Sequence, residues 1–366
     1  MATPLERRYP RAASALPRAS FTTLPTAVER LSRLGAEIGY PDLWVKRDDV
    51  SAPLYGGNKP RKLEFLLGDA LARGRRGVLT TGGTGTHHGL ATAIYARHLG
   101  LDCDLVLLDQ PLTEHVRHSL LLDYAAGATL HYASSVAGVA ARATRVLARQ
   151  SLRGRPPYIV ATGGSSALGT VGYVDAAFEL AEQVAAGIVP EPAWIYVAAG
   201  SAGTVAGLSL GLQLAGLRSR ICAVSVSDLL PPTQAKIASL ARRCLRRLRR
   251  ADAEIAAIEV DPNVVRLESG YVGPGYGAPT REGLQAIARM RSAEGIDLEP
   301  TYTGKCLAAL IADRAAGALA GGPVLFWNTY SSIDPAPHLP PLPDYRELPA
   351  AFHPLFEGPL PDGGSP

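Results

Sequence analysis

Lys59 is the residue whose type and setting best suit covalent chemistry. It stands in the segment Gly-Gly-Asn-Lys-Pro-Arg-Lys-Leu-Glu, residues 56–64. Glycines let the backbone pass close to a ligand, and a helix starting at Pro60 would place Lys59 at its positive end, which disfavours the ammonium form. A neutral amine is the nucleophile of Schiff-base chemistry. The alternative is a solvated lysine, and Lys62, one turn further on, is predicted to face solvent or a carboxylate.

A glycine-rich loop at residues 199–204, Ala-Gly-Ser-Ala-Gly-Thr, lies between a predicted strand and a predicted helix. Backbone N–H groups at a helix N-terminus form a cradle for a phosphate. The loop lacks the lysine and hydroxyl of a nucleotide P-loop and the downstream acid of a dinucleotide fingerprint. The loop therefore predicts a site for a single phosphate, with a tight packing turn as the alternative.

Two further glycine-rich loops follow predicted strands, at residues 81–89 and 161–169. In the first, Thr86 is a plausible N-cap in front of N–H groups that suit a carboxylate. The adjacent His87 and His88 should diverge, and no third ligand accompanies them, so no metal is expected. The second loop lacks the G-x-S-x-G pattern of a nucleophilic serine. Three loops at strand ends predict one small anionic ligand.

Short apolar runs alternate with longer helical patterns along the chain, and this alternation predicts parallel sheets with functional loops at the carboxyl ends of the strands. Strands are predicted at 43–47, 78–81, 104–108, 128–131, 158–161, 194–198, 221–226 and 324–327. Helices are predicted at 60–73, 88–99, 113–126, 136–150, 168–186, 204–215, 232–250, 281–294 and 304–316.

The composition indicates a globular chain. Hydrophobic residues make up 47% of the 366 residues and charged residues 19%, enough for a large core and about two domains. The uncharged stretch 192–217 contains several glycines, so it predicts a buried strand, turn and helix rather than a membrane span. Residues 1–20 predict a disordered tail, because Pro10 and Pro17 interrupt any amphipathic helix.

Charge and cysteine usage narrow the expected partners. The net charge is +4, and the arginine pairs at 242–250 predict a solvated helix face, so no nucleic-acid partner is expected. The four cysteines are far apart and show no metal-ligand spacing or disulfide framework, which is typical of a cytoplasmic protein.

Taken together, these motifs resemble the fold-type II pyridoxal-phosphate (PLP) enzymes, specifically the 1-aminocyclopropane-1-carboxylate (ACC) deaminase and D-cysteine desulfhydrase family. The segments that carry the resemblance run in order along the chain: 21–26, 45–49, 56–64, 163–169, 275–277 and 302–305. The resemblance implies an α/β fold of two three-layer domains with mostly parallel sheets and PLP in the cleft between them. It also implies a large domain (21–57 and 169–340), an inserted small domain (58–168), an extended tail (341–366) and a homodimer.

The resemblance also assigns roles to individual residues. Lys59 would carry PLP covalently, Asn58 would bond its 3′-oxygen, and Tyr276 and Tyr302 would assist proton transfer. The phosphate would bind at Gly200, Ser201, Ala202, Gly203 and Thr204. The substrate would contact Thr86, His87, His88 and Ser165. Thr303 and Thr329 would lie near the pyridine nitrogen.

The activity implied is removal of the α-proton of a small amino acid by Lys59, loss of a β-leaving group, and release of a 2-oxo acid and ammonia. ACC deaminases have a glutamate where this chain has Thr303, so the resemblance favours a D-cysteine desulfhydrase-like lyase, with ACC deaminase as the alternative. His87 replaces the family's usual asparagine, and Tyr330 stands where relatives usually have a glycine. A PLP-binding protein without turnover is the third interpretation.

Overall fold

The computed structural model describes residues 2–228, 231–319 and 321–360, and within these ranges ten strands and thirteen α-helices alternate. The strands are β1 (Val28–Arg30), β2 (Leu43–Lys46), β3 (Gly77–Gly83), β4 (Asp102–Leu108), β5 (Ala128–Ala133), β6 (Tyr158–Ile159), β7 (Trp194–Ala199), β8 (Arg220–Ser225), β9 (Val265–Glu268) and β10 (Val324–Trp327). The helices are α1 (Pro4–Arg8), α2 (Pro10–Ala15), α3 (Ser32–Glu37), α4 (Lys59–Ala72), α5 (His87–His98), α6 (Glu114–Ala125), α7 (Val136–Leu152), α8 (Val171–Ala185), α9 (Gly203–Ala215), α10 (Gln234–Ala251), α11 (Arg281–Glu294), α12 (Thr303–Ala315) and α13 (Pro354–Glu357).

The chain divides into two compact units. Unit 1 comprises the residues up to Phe65 together with Ser165–Ile333, and unit 2 comprises Leu66–Gly164 together with the residues from Asp334 onward. The boundaries predicted from the sequence, after residues 57, 168 and 340, differ because helix α4 is shared by the units and the C-terminal segment groups with unit 2. The predicted α/β class with mostly parallel sheets is confirmed.

Unit 1 contains a six-stranded sheet in the order β1-β2-β10-β7-β8-β9. Only the β1–β2 pair is antiparallel among these strands as described. The side chains of β7, β8 and β10 are almost all buried, as expected of central parallel strands. Apolar side chains of α11 and α12, including Met290 and Leu307, share a core with Val45 and Phe326 of the sheet.

Helix α9 approaches helix α8 closely because glycines face the contact. A Cβ atom on Gly207 would come 2.4 Å from the Cβ of Tyr173, and one on Gly211 would come 2.5 Å from the Cβ of Ala177. Real Cβ atoms do not approach so closely, so both positions require glycine. This packing fixes the start of α9, where the loop at 199–204 ends.

Unit 2 contains a four-stranded parallel sheet in the order β5-β4-β3-β6. Leu79, Val106 and Ala133 pack with Val146 of α7 in a buried cluster. Strand β3 runs directly into the loop that precedes α5. The sheet therefore places the Thr86 segment at the carboxyl end of a strand, as the sequence predicts.

The structure corrects the predicted disordered tail at 1–20, of which residues 2–20 are described. Pro4 and Pro10 occupy the first turns of α1 and α2, where proline is favoured, and Thr3 forms a capping box with Glu6. The backbone N–H of Leu5 donates to Oδ1 of Asp175 over 2.7 Å. The prolines begin these helices rather than interrupting a longer one.

The predicted extended tail at 341–366 also differs from the structure. Short 3₁₀ helices span Tyr345–Glu347 and Ala350–Phe352, and α13 follows. The Phe352 side chain is fully buried and meets the Tyr132 ring edge-on, with 5.5 Å between the ring centroids. Residues 361–366 of the predicted tail lie outside the described residues.

Candidate active site

Lys59 is the first residue of α4, and the turn before it requires glycine. Gly57 has a φ of +80°, and a Cβ there would lie 2.7 Å from the carbonyl oxygen of Thr329. The Lys59 Nζ bonds to Oδ1 of Asn58 and lies 5.7 Å from the centre of the Tyr302 ring. Burial lowers the pKa of Lys59 to about 8, against the opposing pull of Glu299. The uncharged amine is therefore about a tenth of the population at pH 7 and about half at pH 8.

Asn58 connects three segments of unit 1. Its backbone N–H donates to the carbonyl oxygen of Thr329 over 3.2 Å, and its side-chain Nδ2 donates to Oγ1 of Thr204 over 3.0 Å. The structure thus brings Asn58, Lys59, Thr204 and Thr329 together, although 271 residues separate the first and last of these. The sequence pattern grouped them only through the family resemblance.

The loop at 199–204 has the open geometry of an anion cradle. Ala202 has a φ of +75°, a left-handed conformation that is uncommon for residues other than glycine, and as the N-cap of α9 it makes no side-chain cap bond. The Gly203 N–H donates to Oγ of Ser165 over 3.0 Å, and Oγ of Ser165 lies 2.8 Å from Oγ of Ser201. We call Gly200–Thr204 with Ser165 the cup. Ser165, expected to contact the substrate, instead belongs to this loop's hydrogen bonds.

Lys62 is the functional candidate that sequence reasoning missed. Its side chain is 2% exposed, and its Nζ lies 3.1 Å from the position that a Cβ on Gly203 would take. Burial, followed by the neighbouring Lys59, lowers the pKa of Lys62 well below its ordinary value. The prediction that Lys62 faces solvent was wrong, and its alternative, a carboxylate partner, stays a prediction. The sequence did contain a signal for this position. Lys62 lies three residues after Lys59, and residues three apart share one helix face.

Tyr276 and Tyr302 form a half-buried hydroxyl pair. Their hydroxyl oxygens are 2.7 Å apart, and their rings meet edge-on with centroids 6.0 Å apart. Burial raises the pKa of both phenols, so both stay protonated and can donate. The N–H of Tyr276 donates to Oδ1 of Asp228 over 2.9 Å, and Nζ of the buried Lys305 donates to the carbonyl oxygen of Val272 over 2.7 Å.

Thr303 and Thr329 are in different settings. The Thr303 hydroxyl accepts from the backbone N–H of Glu299 over 3.0 Å and lies 3.2 Å from Oε1 of the same residue. Oε1 of Glu299 also accepts from the N–H groups of Tyr302 and Thr303, so it caps the start of α12. Thr329 lies beside Asn58, with its side chain buried. Of the two hydroxyls expected near the pyridine nitrogen, that of Thr303 is bonded within its own turn.

Unit 2 holds the remaining predicted residues. Thr86 is the N-cap of α5, and its Oγ1 accepts from the Gly89 N–H over 3.3 Å, as the sequence predicts. The Thr80 hydroxyl donates to the Val160 carbonyl, so Nε2 of the buried His88 donates to Oγ1 of Thr80, 3.0 Å away.

The two histidines have different partners, as expected for adjacent residues at the start of a helix. The His87 ring stacks obliquely on His115, 4.8 Å between centroids. Within the described residues, no three potential ligands come close enough to hold a metal ion.

The geometry of unit 1 matches what comparisons with known proteins find. A family model described as "Pyridoxal-phosphate dependent enzyme" matches residues 19–329. A crystal structure described as that of an ACC deaminase homologue is 33% identical, with a TM-score of 0.74, and the match covers 88% of this chain and 95% of that one. The chain therefore belongs to the pyridoxal-phosphate-dependent enzyme family, and PLP is its cofactor.

The residues present fit this cofactor. The cup offers backbone N–H groups at a helix start, and the Lys62 amine lies against Gly203, which suits a phosphate dianion. The Lys59 amine suits an aldehyde because its lowered pKa makes the uncharged, nucleophilic form more accessible than in an ordinary lysine.

Among the described helices, none is long and apolar enough to cross a bilayer.

Proposed function

We propose that this protein catalyses α,β-elimination from a small amino acid with a β-leaving group, in the manner of a D-cysteine desulfhydrase. The products would be a 2-oxo acid, ammonia and the leaving group, which is sulfide for cysteine. PLP, when bound, withdraws electrons from the α-carbon of the substrate. The observation that carries the proposal is a partly neutral Lys59 amine beside both the cup and the Tyr276–Tyr302 pair.

Lys59 would carry the cofactor covalently and hold the proton removed from the α-carbon. A base works best when its pKa lies near the working pH, and the pKa of Lys59 is lowered to about 8. Asn58 orients this amine through its side-chain oxygen while its Nδ2 is fixed by Thr204. The pair therefore needs little rearrangement to act.

The two tyrosines would move a proton to the leaving group. Their raised pKa values keep both protonated, and the hydrogen bond between them lets one replenish the other. Asp228 and Lys305 hold the loop that carries Tyr276. A thiolate leaving as the neutral thiol requires such a donor.

The cup and Lys62 would bind the phosphate, and Thr86, His87 and His88 would bind the substrate carboxylate through the start of α5. We propose the hydroxyl of Thr329, rather than that of Thr303, as the partner of the pyridine nitrogen, because the Thr303 hydroxyl is occupied by Glu299. A hydroxyl partner leaves the ring nitrogen unprotonated, so the ring would withdraw electrons from the α-carbon of the substrate less strongly. This setting favours a substrate with a good leaving group.

ACC deamination is the second candidate, supported by the crystal structure described as an ACC deaminase homologue. It would require the opening of a cyclopropane ring, for which a carboxylate partner at the ring nitrogen is better suited than Thr303. A protein that binds PLP without turnover is the third, with His87 and Tyr330 as the residues that would obstruct the substrate.

A substrate screen tests the proposal. The holoenzyme is incubated with D- and L-amino acids and with ACC, and 2-oxo acid and sulfide are measured, with Lys59→Ala as the blank. We expect sulfide and pyruvate from D-cysteine. Oxo-acid release from ACC without sulfide from D-cysteine would replace the proposal by ACC deamination, and a bound cofactor with no product from any amino acid would support the third candidate.

Thr329→Asp tests the choice between the two substrates, because Thr329 is the residue that we assign to the ring nitrogen. A carboxylate at this position would favour a protonated ring nitrogen, so we expect the ratio of ACC turnover to D-cysteine turnover to rise by about tenfold. We further propose, from the family resemblance, that the protein is cytoplasmic and forms a homodimer. Light scattering of the purified protein tests the dimer, for which we expect a mass twice that of the chain.

A further inference from the structure

Helix α10 carries an unusual concentration of positive charge. Its eighteen residues, Gln234–Ala251, contain Lys236 and six arginines and no acidic residue. The buried side of the helix is apolar and includes Leu240, Cys244 and Leu248, so the arginines share the opposite face. Nothing in the proposed reaction uses this face.

Four of these arginines line a cavity of about 490 Å³ in unit 1: Arg243, Arg246, Arg247 and Arg250. Residues at spacings of three, four and seven are neighbours on one helix face, so the four arginines present their charges on the same side of α10. The remaining wall includes Ala15 and Leu16 at the end of α2. The volume lies in the range of small-molecule sites, about 300–1,000 Å³.

Within the described residues, no carboxylate forms an ion pair with any of the four arginines. The nearest acids in sequence have other partners: Glu254 pairs with Arg11 over 3.1 Å, and Oδ1 of Asp252 accepts from the Glu254 N–H. The Arg247 Nε is buried and has no hydrogen-bond partner among the residues that the structure describes. A buried donor left unsatisfied is costly, and four adjacent like charges repel one another.

We propose that this cavity binds a compact polyphosphate anion, a diphosphate or triphosphate group. Guanidinium groups bind phosphate oxygens in a bidentate manner, and several together match an anion of several charges. A single carboxylate would neutralise too little of the charge. The apolar wall from α2 limits the site to a small ligand rather than an extended strand. The source is inorganic pyrophosphate or a nucleotide, which share this chemistry.

Calorimetric titration of the PLP-loaded protein tests the proposal, because the loaded cofactor excludes binding at the cup. Pyrophosphate, ATP and inorganic phosphate are titrated separately. We expect one site per chain for pyrophosphate or ATP and at least about tenfold weaker binding of phosphate. Tighter binding of ATP than of pyrophosphate would identify a nucleotide as the source, and equal binding would identify the diphosphate group itself as sufficient.

Two variants of equal charge separate the cavity from the general field of the helix. Arg243→Gln/Arg247→Gln should weaken binding by about tenfold or more, since each removes charge-assisted hydrogen bonds. The control, Lys236→Gln/Arg242→Gln, removes the same charge from the same helix outside the cavity and should change binding less than about twofold. Arg250→Gln, with the melting temperature as the folding check, provides a milder second variant.

Three results would overturn the proposal: no binding by either polyphosphate, an equal loss in both double variants, or a short DNA duplex that binds more tightly than ATP and is affected equally by both. The second would indicate diffuse electrostatics alone, and the third a nucleic-acid surface. None of these results bears on the proposed elimination reaction, since neither double variant touches the cup or Lys59.

Discussion

Two strand–loop–helix junctions of this chain share a design and differ in how their first N–H groups are satisfied. In unit 1 the loop at 199–204 reaches α9 through a left-handed Ala202, whose methyl side chain cannot cap the helix. In unit 2 the loop at 81–89 reaches α5 through Thr86, whose hydroxyl caps the helix. At the first junction the Gly203 N–H donates to Oγ of Ser165, a side chain from outside the junction, whereas at the second the Gly89 N–H donates to the N-cap residue of its own helix.

The charges near the two junctions differ as well. The buried Lys62 amine lies against the uncapped junction, whereas the capped junction has two histidine rings in its first turn. A lysine amine forced into a buried position suits a group of two negative charges, and a capped helix start with histidines suits one carboxylate. On this basis the uncapped junction of unit 1 is the one that suits a phosphate.

The largest effect on ligand binding should come from a side chain that fills the uncapped junction of unit 1. In Gly203→Ala the new Cβ would lie 2.4 Å from Oγ of Ser165 and 3.1 Å from Nζ of Lys62, so we expect PLP affinity to fall by about 100-fold. Gly200→Ala is the matched control, since its Cβ meets only a Tyr302 ring carbon at 3.3 Å and should cost a fewfold at most. Fluorescence titration with PLP measures both, and equal losses would contradict the account of the cup.

Replacing Lys62, the amine beside the cup, should have the next largest effect on affinity for the phosphate. Burial and Lys59 lower the pKa of Lys62 well below its ordinary value, so the free protein disfavours the ammonium form of this amine. A bound phosphate dianion favours the ammonium form, so the pKa of Lys62 rises in the complex and binding takes up a proton. Phosphate-ester affinity should therefore increase as the pH falls. Lys62→Met should lower affinity by about tenfold and flatten this dependence.

Pyridoxine 5′-phosphate is the suitable probe for this pH series, because it lacks the aldehyde and cannot react with Lys59. The titrations are best run between about pH 7 and pH 9, above the second ionisation of the phosphate near 6. An unchanged pH dependence in Lys62→Met would exclude Lys62 as the group that takes up the proton.

The smallest effect should come from the capped junction. Thr86→Ala removes an N-cap and should cost about 1 kcal/mol of unfolding free energy. Thr113→Ala removes the equivalent cap of α6 in the same unit and should cost a similar amount. If the start of α5 binds the substrate carboxylate, only Thr86→Ala should also raise KM, by about fivefold. Equal KM values for the two variants would leave Thr86 a structural cap alone.

Features governed by local sequence were predicted well. The alternation of strands and helices, the cap at Thr86 and the placement of Lys59 at a helix start each depend on a few neighbouring residues. Those local preferences are strong because glycine, proline and threonine at helix and turn positions restrict the backbone directly.

Features governed by distant contacts were not predicted. Ser165 bonds to residues 36 and 38 positions away, so no local pattern assigns its hydroxyl to the cup. Lys62 is buried because of its surroundings, and a lysine is normally expected to be exposed. The Thr303 hydroxyl is engaged by Glu299 in a turn that the sequence did not reveal as a helix cap. Tertiary packing decides each of these.

The central claim is that Lys59 presents an uncharged amine to the aldehyde of PLP. Purified apoprotein is mixed with PLP over a pH series, reduced with borohydride and digested, and the labelled peptide is identified. The account predicts a label on Lys59, an initial labelling rate that rises through a midpoint near pH 8, and no label in Lys59→Ala. A label on Lys62, or one that persists in Lys59→Ala, would contradict it.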